Sequence, residues 1–200
     1  MRRVVAAIAT LLIASGGVLL GGEAWLSGKA ALARVLIDRA FAAHLADGAP
    51  HRPWSWADTY PIAHLQVPRL GVGRTVLAGA SGSSLAFGAG HLDGTALPNR
   101  RGNSVVAGHR DGEFAFLERL RAGDALWLTT REGTWRYRVV ELSVRSMWDP
   151  RVVEARDGRI LTLVTCFPFD AAGATDRRFV AVLRAVDPPR PPLRAGGGDR

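Results

Sequence analysis

The chain holds a single cysteine, Cys166, at the end of the run Ile160-Leu161-Thr162-Leu163-Val164-Thr165-Cys166. A β-branched, apolar run stopped by the turn-forming Phe167-Pro168-Phe169-Asp170 reads as a strand whose last residue emerges at a sheet rim. A thiol placed there can act as a nucleophile if a base or a nearby positive charge favours the thiolate, since a free thiol has a pKa of about 8.5. His109 is the candidate partner, because Val105-Val106-Ala107-Gly108-His109 has the same design, an apolar strand that hands a ring to its end. When a thiolate attacks a peptide carbonyl, negative charge grows on the oxygen and the leaving amine must be protonated. An imidazole suits the proton transfer. A permanently charged guanidinium suits the oxygen, and Arg178 is the candidate for it. Cys166 ends one strand and Arg178 opens the next with eleven residues between them, so an antiparallel return sets the two side by side. Arg177 is adjacent, but neighbouring strand residues point to opposite faces, so only one of the pair faces the thiol. A lone cysteine at a strand end also fits a small buried apolar residue.

The elements that must hold these groups follow from the texture of the chain. From residue 62 onward it consists of short alternating runs separated by Gly, Pro and Asp, an all-β pattern. Ala63, Leu65 and Val67 share one face of the first run with His64 and Gln66 on the other, which makes His64 an ordinary exposed histidine. Further strands are predicted at 74–78, 103–107, 125–130, 134–146, 159–165 and 178–186, with one short helix at 113–120 just after His109. Closing such strands into a barrel removes their exposed edges. Ahead of them, 23–47 has Leu32, Val35 and Leu36 at helical spacing and reads as a linker helix ended by Gly48-Ala49-Pro50. The Trp54-Ser55-Trp56 stretch packs on the domain or sits at a membrane interface.

The formal charge of +8 is almost wholly arginine, with Lys29 the only lysine. The arginines are scattered rather than gathered in a stripe, and no nucleic-acid reader motif accompanies them, so a nucleic-acid partner is not expected. Attraction to anionic lipid headgroups accounts for the charge more simply. Met1-Arg2-Arg3 followed by an uncharged stretch from 4 to 22 predicts a transmembrane signal-anchor, with a cleaved signal peptide as the competing reading. By the positive-inside rule the rest of the chain then faces outward, periplasmic or extracytoplasmic. A single cysteine in such a compartment has no partner within its own chain. The expected layout is 1–22 cytoplasmic start and anchor, 23–60 linker helix and lead-in, 61–186 catalytic domain, and 187–200 a tail too rich in Pro and Gly to pack.

Several separated motifs resemble the sortase family of cysteine transpeptidases. Thr162-Leu163-Val164-Thr165-Cys166 is similar to its T-L-x-T-C motif, matching at Thr162, Leu163, Thr165 and Cys166. Gly90-His91-Leu92-Asp93-Gly94-Thr95-Ala96-Leu97-Pro98 and Gly102-Asn103-Ser104-Val105-Val106-Ala107-Gly108-His109-Arg110-Asp111 resemble the block around the family's catalytic histidine. Arg178-Phe179-Val180-Ala181-Val182 resembles the strand that supplies its arginine. The resemblance runs from about 62 to 186. The Cys-Phe-Pro-Phe-Asp tail and the Gly-Thr-Ala-Leu-Pro segment are similar to the type found in Gram-negative bacteria, class GN.

The resemblance implies a closed eight-stranded β-barrel with short helices, and a reaction at the Thr-Gly bond of an LPxTG-like sorting signal on an exported protein. An amine acceptor then takes the acyl group. Cys166, His109 and Arg178 fall on the catalytic positions, and Thr165, His91, Thr95 and Asp111 on substrate-binding or site-shaping ones. No cofactor and no metal are expected. The order His, Cys, Arg departs from papain-like peptidases, and the Ser-x-Gly-Cys signature of L,D-transpeptidases is missing. His91-Leu92-Asp93 and His109-Arg110-Asp111 match no metal-ligand spacing, and Gly79-Ala80-Ser81-Gly82-Ser83 is a loop rather than a nucleophile elbow. The remaining alternatives are a thiol endopeptidase that processes an exported protein and a non-catalytic, membrane-bound β-barrel adaptor.

Overall fold

The computed structural model describes Trp25 and residues 28–186 apart from Ala172. The anchor expected at 4–22 and the tail at 187–200 lie outside the described residues, among which no helix is long and apolar enough to cross a membrane. The chain divides into two compact units, Met1–Leu36 and Ile37–Arg200. In the first, residues 28–36 are helical and the Lys29 ammonium lies 4.8 Å from the centre of the Trp25 ring.

In the second unit residues 37–47 are helical (α1) and bury Ile37, Ala40 and Phe41. Eight strands follow: β1 Pro61–Val67, β2 Val72–Ala78, β3 Ala89–His91, β4 Gly102–Ala107, β5 Ala125–Thr130, β6 Gly133–Ser146, β7 Arg159–Phe167 and β8 Arg177–Ala185. They close into a barrel in the order β1-β2-β3-β4-β7-β8-β6-β5. Two of the pairings, β2 with β3 and β4 with β7, are parallel, and the others are antiparallel. Alternation fills the interior: Leu65 and Val67 from β1, Leu126 and Leu128 from β5, Leu161 and Leu163 from β7, and Ala181 and Leu183 from β8. The outer face of β7 and β8 is also covered. Ile160, Val180 and Val182 form a second apolar cluster there, with Val152 of the β6–β7 connection and Val164 packed on it. Burial on both faces is why β7 reads as a nearly unbroken apolar run rather than an alternating one.

Four local expectations are corrected. β3 was not foreseen, because three residues flanked by Gly88 carry no alternation. Its Gly90 is required by crowding, since a Cβ there would lie 2.5 Å from the Gly79 carbonyl oxygen. The helix expected at 113–120 is a tight turn leading into a 3₁₀ helix, Ala115–Arg119. Phe114, Leu117 and Leu120 are all buried at a spacing of three, the period of the tighter helix. A single helical turn, α2 (Gly82–Leu85), occupies part of the segment read as a loop, with the Ser81 hydroxyl accepting from the Ser84 amide. His64 is half-buried rather than exposed: Phe41 of α1 stacks on its ring at 6.2 Å, and Nδ1 lies 3.0 Å from the Thr75 hydroxyl, which donates to Asp38 at 2.9 Å. Burial holds its imidazole below the usual range. The two tryptophans of the lead-in divide, Trp54 packing edge-on against Phe87 at 4.8 Å and Trp56 standing 82% exposed.

Candidate active site

β7 and β8 pair antiparallel with Cys166 directly opposite Arg178. Residues directly opposite on such a ladder share a face, and for this pair it is the outer one, since Leu163 and Ala181 of the same strands face the core. Cys166 is half-buried. The Arg178 guanidinium donates from Nη1 to the carbonyls of Thr175 at 2.7 Å and Arg177 at 2.9 Å, and its Nη2 lies 4.0 Å from the Met147 sulfur. Arg177 is exposed on the opposite face, its guanidinium 5.1 Å from the centre of the Phe167 ring. Arg178, not Arg177, therefore shares the face of the thiol.

His109 arrives from the parallel neighbour. The β4–β7 ladder ends at Ala107 opposite Val164. Beyond it the Gly108 amide donates to the Val164 carbonyl at 3.2 Å, and the Thr165 hydroxyl donates to the Gly108 carbonyl at 2.7 Å. The next residue on each chain is His109 and Cys166, so both leave the sheet at one rim. Gly108 is fixed by packing, since a Cβ there would lie 2.7 Å from the Phe114 ring. The His109 carbonyl then accepts from the Phe114 amide at 2.9 Å, closing a turn that leaves the imidazole exposed.

The remaining polar positions brace this arrangement. Thr165, 2% exposed, acts through its bond to Gly108 rather than by facing solvent. Thr162 donates to the Asn103 side-chain oxygen at 2.7 Å, and the Asn103 amide donates to the carbonyls of Val152 and Glu154, each at 3.0 Å. That pair pins the β6–β7 connection over the outer face. His91 is 4% exposed, with Nε2 2.9 Å from the Ala96 carbonyl and 3.1 Å from the Thr95 hydroxyl. Thr95 in turn donates to the Leu92 carbonyl at 2.7 Å and accepts from the Val105 amide at 3.2 Å. His91 and Thr95 thus fold a turn against β4. Asp111 is exposed in the turn after His109.

Arg110 was missed by the sequence reading. Its Nη2 donates to the carbonyls of Ala171 and, at 2.7 Å, Gly173, clipping the His109 turn to the β7–β8 connection that links Cys166 to Arg178. An arginine beside a histidine carries no sign of backbone partners some sixty positions on. Among the described residues, a groove and a cleft lie beside the site. A groove of about 340 Å³ runs past Arg178 between Leu92, Val105, Met147, Trp148 and Val164. A cleft of about 430 Å³ opens on the far side of His109, between Ala86, Phe87, Asp111 and Glu113.

The sequence model of the sortase domain matches residues 65–186. The chain belongs to the sortase family. It is 27% identical over 123 residues to Sortase D of Bacillus subtilis strain 168, a stretch that makes up 61% of this chain and 62% of that protein. The chain thus spans about three fifths of that relative's length. Among solved structures, the Sortase D5 transpeptidase of Clostridium perfringens superposes with a TM-score of 0.65 at 20% identity, covering 78% of this chain and 99% of that one. A sortase E variant from Streptomyces avermitilis superposes with a TM-score of 0.57 at 31% identity, covering 70% and 95%. The closed eight-stranded barrel is the sortase fold.

Proposed function

We propose that this sortase is a membrane-anchored cysteine transpeptidase that cleaves an LPxTG-like sorting signal between Thr and Gly and transfers the exported protein to an amine. The observation that carries the reading is the shared outer face of Cys166 and Arg178 at the rim where His109 emerges. The Cys166 thiolate attacks the threonine carbonyl carbon while the Arg178 guanidinium faces the developing oxyanion. His109 gives its proton to the departing glycine amine, and a thioester is left on Cys166. An incoming amine forms the new C–N bond, gives a proton back to His109 and releases the thiolate. Water in place of the amine gives hydrolysis as a side reaction. These steps use side chains alone, with no cofactor.

The apolar groove beside Arg178 suits the Leu-Pro part of such a signal. The uncharged segment at 4–22 behind Arg2-Arg3 supports a single-pass anchor in the cytoplasmic membrane with the catalytic domain outside. The Cys-Phe-Pro-Phe-Asp tail supports the Gram-negative type, class GN.

The test is product analysis by mass spectrometry with full-length protein, a sorting-signal peptide and an added amine. Amine-dependent conjugates are expected, and Cys166→Ala is expected to form none while melting as the wild type does, since the substitution removes only one half-buried thiol. Cleavage to free acid alone at every amine concentration would instead make the protein a thiol endopeptidase. A Cys166 that reacts with no thiol probe in the folded protein would favour the adaptor reading.

A further inference from the structure

The groove past Arg178 is lined mainly by aliphatic side chains, Met147 and Trp148. The cleft on the other side of His109 is of comparable size, and its mouth carries two carboxylates, Asp111 and Glu113. Glu113 is already engaged, its Oε2 lying 2.9 Å from the Arg74 guanidinium. Asp111 is exposed, two positions after His109 in the same turn, and among the described residues no hydrogen bond or ion pair holds it. The wall facing it is Ala86 and Phe87, just beyond α2, with Phe87 44% exposed and its ring supported edge-on by Trp54.

Resting on the transpeptidase reading, we infer that Asp111 is a specificity-determining residue for the acceptor, its carboxylate drawing the ammonium form of the amine into the cleft between His109 and Phe87. The argument begins with the reversibility of the proton transfer. The group that protonates the leaving amine must deprotonate the incoming one, so the acceptor nitrogen has to reach the place the leaving nitrogen vacated, beside the His109 ring. Among the described residues, His109 lines this cleft and not the groove past Arg178. A primary amine is mostly ammonium near neutral pH. In a chain of formal charge +8, an unpaired carboxylate at the mouth concentrates such a cation where the surrounding field would otherwise disfavour it. The ammonium first loses one proton to solvent. The free amine then attacks the thioester carbonyl, the C–N bond forms, the C–S bond breaks, the second proton passes to His109, and the thiolate returns to Cys166.

The test measures conjugate against free acid over a range of acceptor concentrations, with glycinamide as a cationic acceptor and hydroxylamine as one uncharged near neutral pH. Asp111→Asn is expected to raise the half-saturating glycinamide concentration about fivefold, the equivalent of one unit-charge contact in a water-like dielectric. Hydroxylamine is expected to shift by less than about twofold, and molar salt to close the glycinamide gap. Ala86→Lys, an exposed substitution on the opposite wall, is expected to shift glycinamide in the same direction. Unchanged glycinamide saturation in both variants would overturn the inference while leaving the transpeptidase reading standing, as would an equal shift for the two acceptors. A wild-type protein that forms no amine-dependent conjugate takes both down.

Discussion

The two ends of the barrel handle their polar side chains in opposite ways. At the end away from Cys166, Asn99 is 2% exposed at a φ of 64° and fully engaged. Its amide donates to the Leu128 carbonyl and the Thr130 hydroxyl, each at 3.1 Å, and to the Gly133 carbonyl at 3.3 Å, while its oxygen accepts from the Tyr137 hydroxyl at 3.2 Å. Arg159 donates to the Asn99 carbonyl at 3.0 Å and lies over the Trp135 ring at 4.3 Å. Burial drives the Tyr137 phenol well above its usual range, so it stays protonated and donates. At the other end the His109 ring is exposed and hydrogen-bonds nothing among the described residues, and the Cys166 thiol is half-buried. Hydrogen bonds there run through backbone and neighbours, Gly108, Thr165 and Arg110. One end uses its polar groups to close the barrel; the other holds the Arg178 guanidinium on two backbone carbonyls and leaves the His109 ring without a hydrogen-bond partner among the described residues.

If that division is right, substitutions at the two ends should separate activity from stability. After Cys166 itself, the largest effect is expected at Arg178. Replacement by Ala should cost about a hundredfold in acylation rate, the scale of losing one oxyanion donor. Lysine should recover only part of that, because a point ammonium cannot reproduce the guanidinium fork. Arg177→Ala, on the opposite face, should stay within about twofold. Single-turnover acylation on all three proteins checks the order, and a greater loss at Arg177 would reverse the assignment.

Asn99→Ala should do the reverse. It leaves the buried Tyr137 hydroxyl without its acceptor and takes a donor from the Leu128 and Gly133 carbonyls, a loss of about 2–4 kcal/mol, or about 4–16 °C in melting temperature. Turnover measured well below the midpoint should remain near wild type. A large activity loss in folded Asn99→Ala would show that the two ends are coupled rather than divided.

The smallest effect concerns α1. His64 titrates below its ordinary range in the folded protein because it is buried against Phe41, so the unfolded chain binds the proton first and stability falls as pH drops below the unfolded value of about 6.5. His64→Gln should remove that component, lessening the decrease in melting temperature between neutral pH and about pH 5 by about 1–2 °C. Thermal melts at the two pH values check it, and an unchanged or steeper decrease would mean that the imidazole is not held neutral by α1.

The strands that bring His109, Cys166 and Arg178 to one rim were the most legible in the sequence. β4, β7 and β8 are apolar runs flanked by turn residues; alternation established only that one of Arg177 and Arg178 faces the thiol, and Arg178 was singled out by its place directly before Phe179-Val180-Ala181-Val182, where the arginine of the resembling family stands. What escaped had no local signal. β3 is too short to alternate. The burial of His64 depends on a helix more than twenty residues upstream, and the bonds of Arg110 end on main-chain oxygens that look alike in any sequence. The closure of the far end by Asn99 was equally hidden, because an asparagine between Pro98 and Arg100 reads as a turn.

The pairing of β4 with β7 has a consequence for how the protein comes into being. Thr165 and Gly108, which join at the rim, are 57 positions apart, and the β5–β6 hairpin between them needs only local contacts. Closing the longer loop costs chain entropy that short-range pairing does not. The expected folding order therefore has hairpins early and the β4–β7 seam late. Until that seam closes, Cys166 is an isolated thiol with neither His109 nor an ordered groove beside it. For the proposed transpeptidase, a half-folded chain would be inert, and the appearance of turnover would mark completion of the barrel.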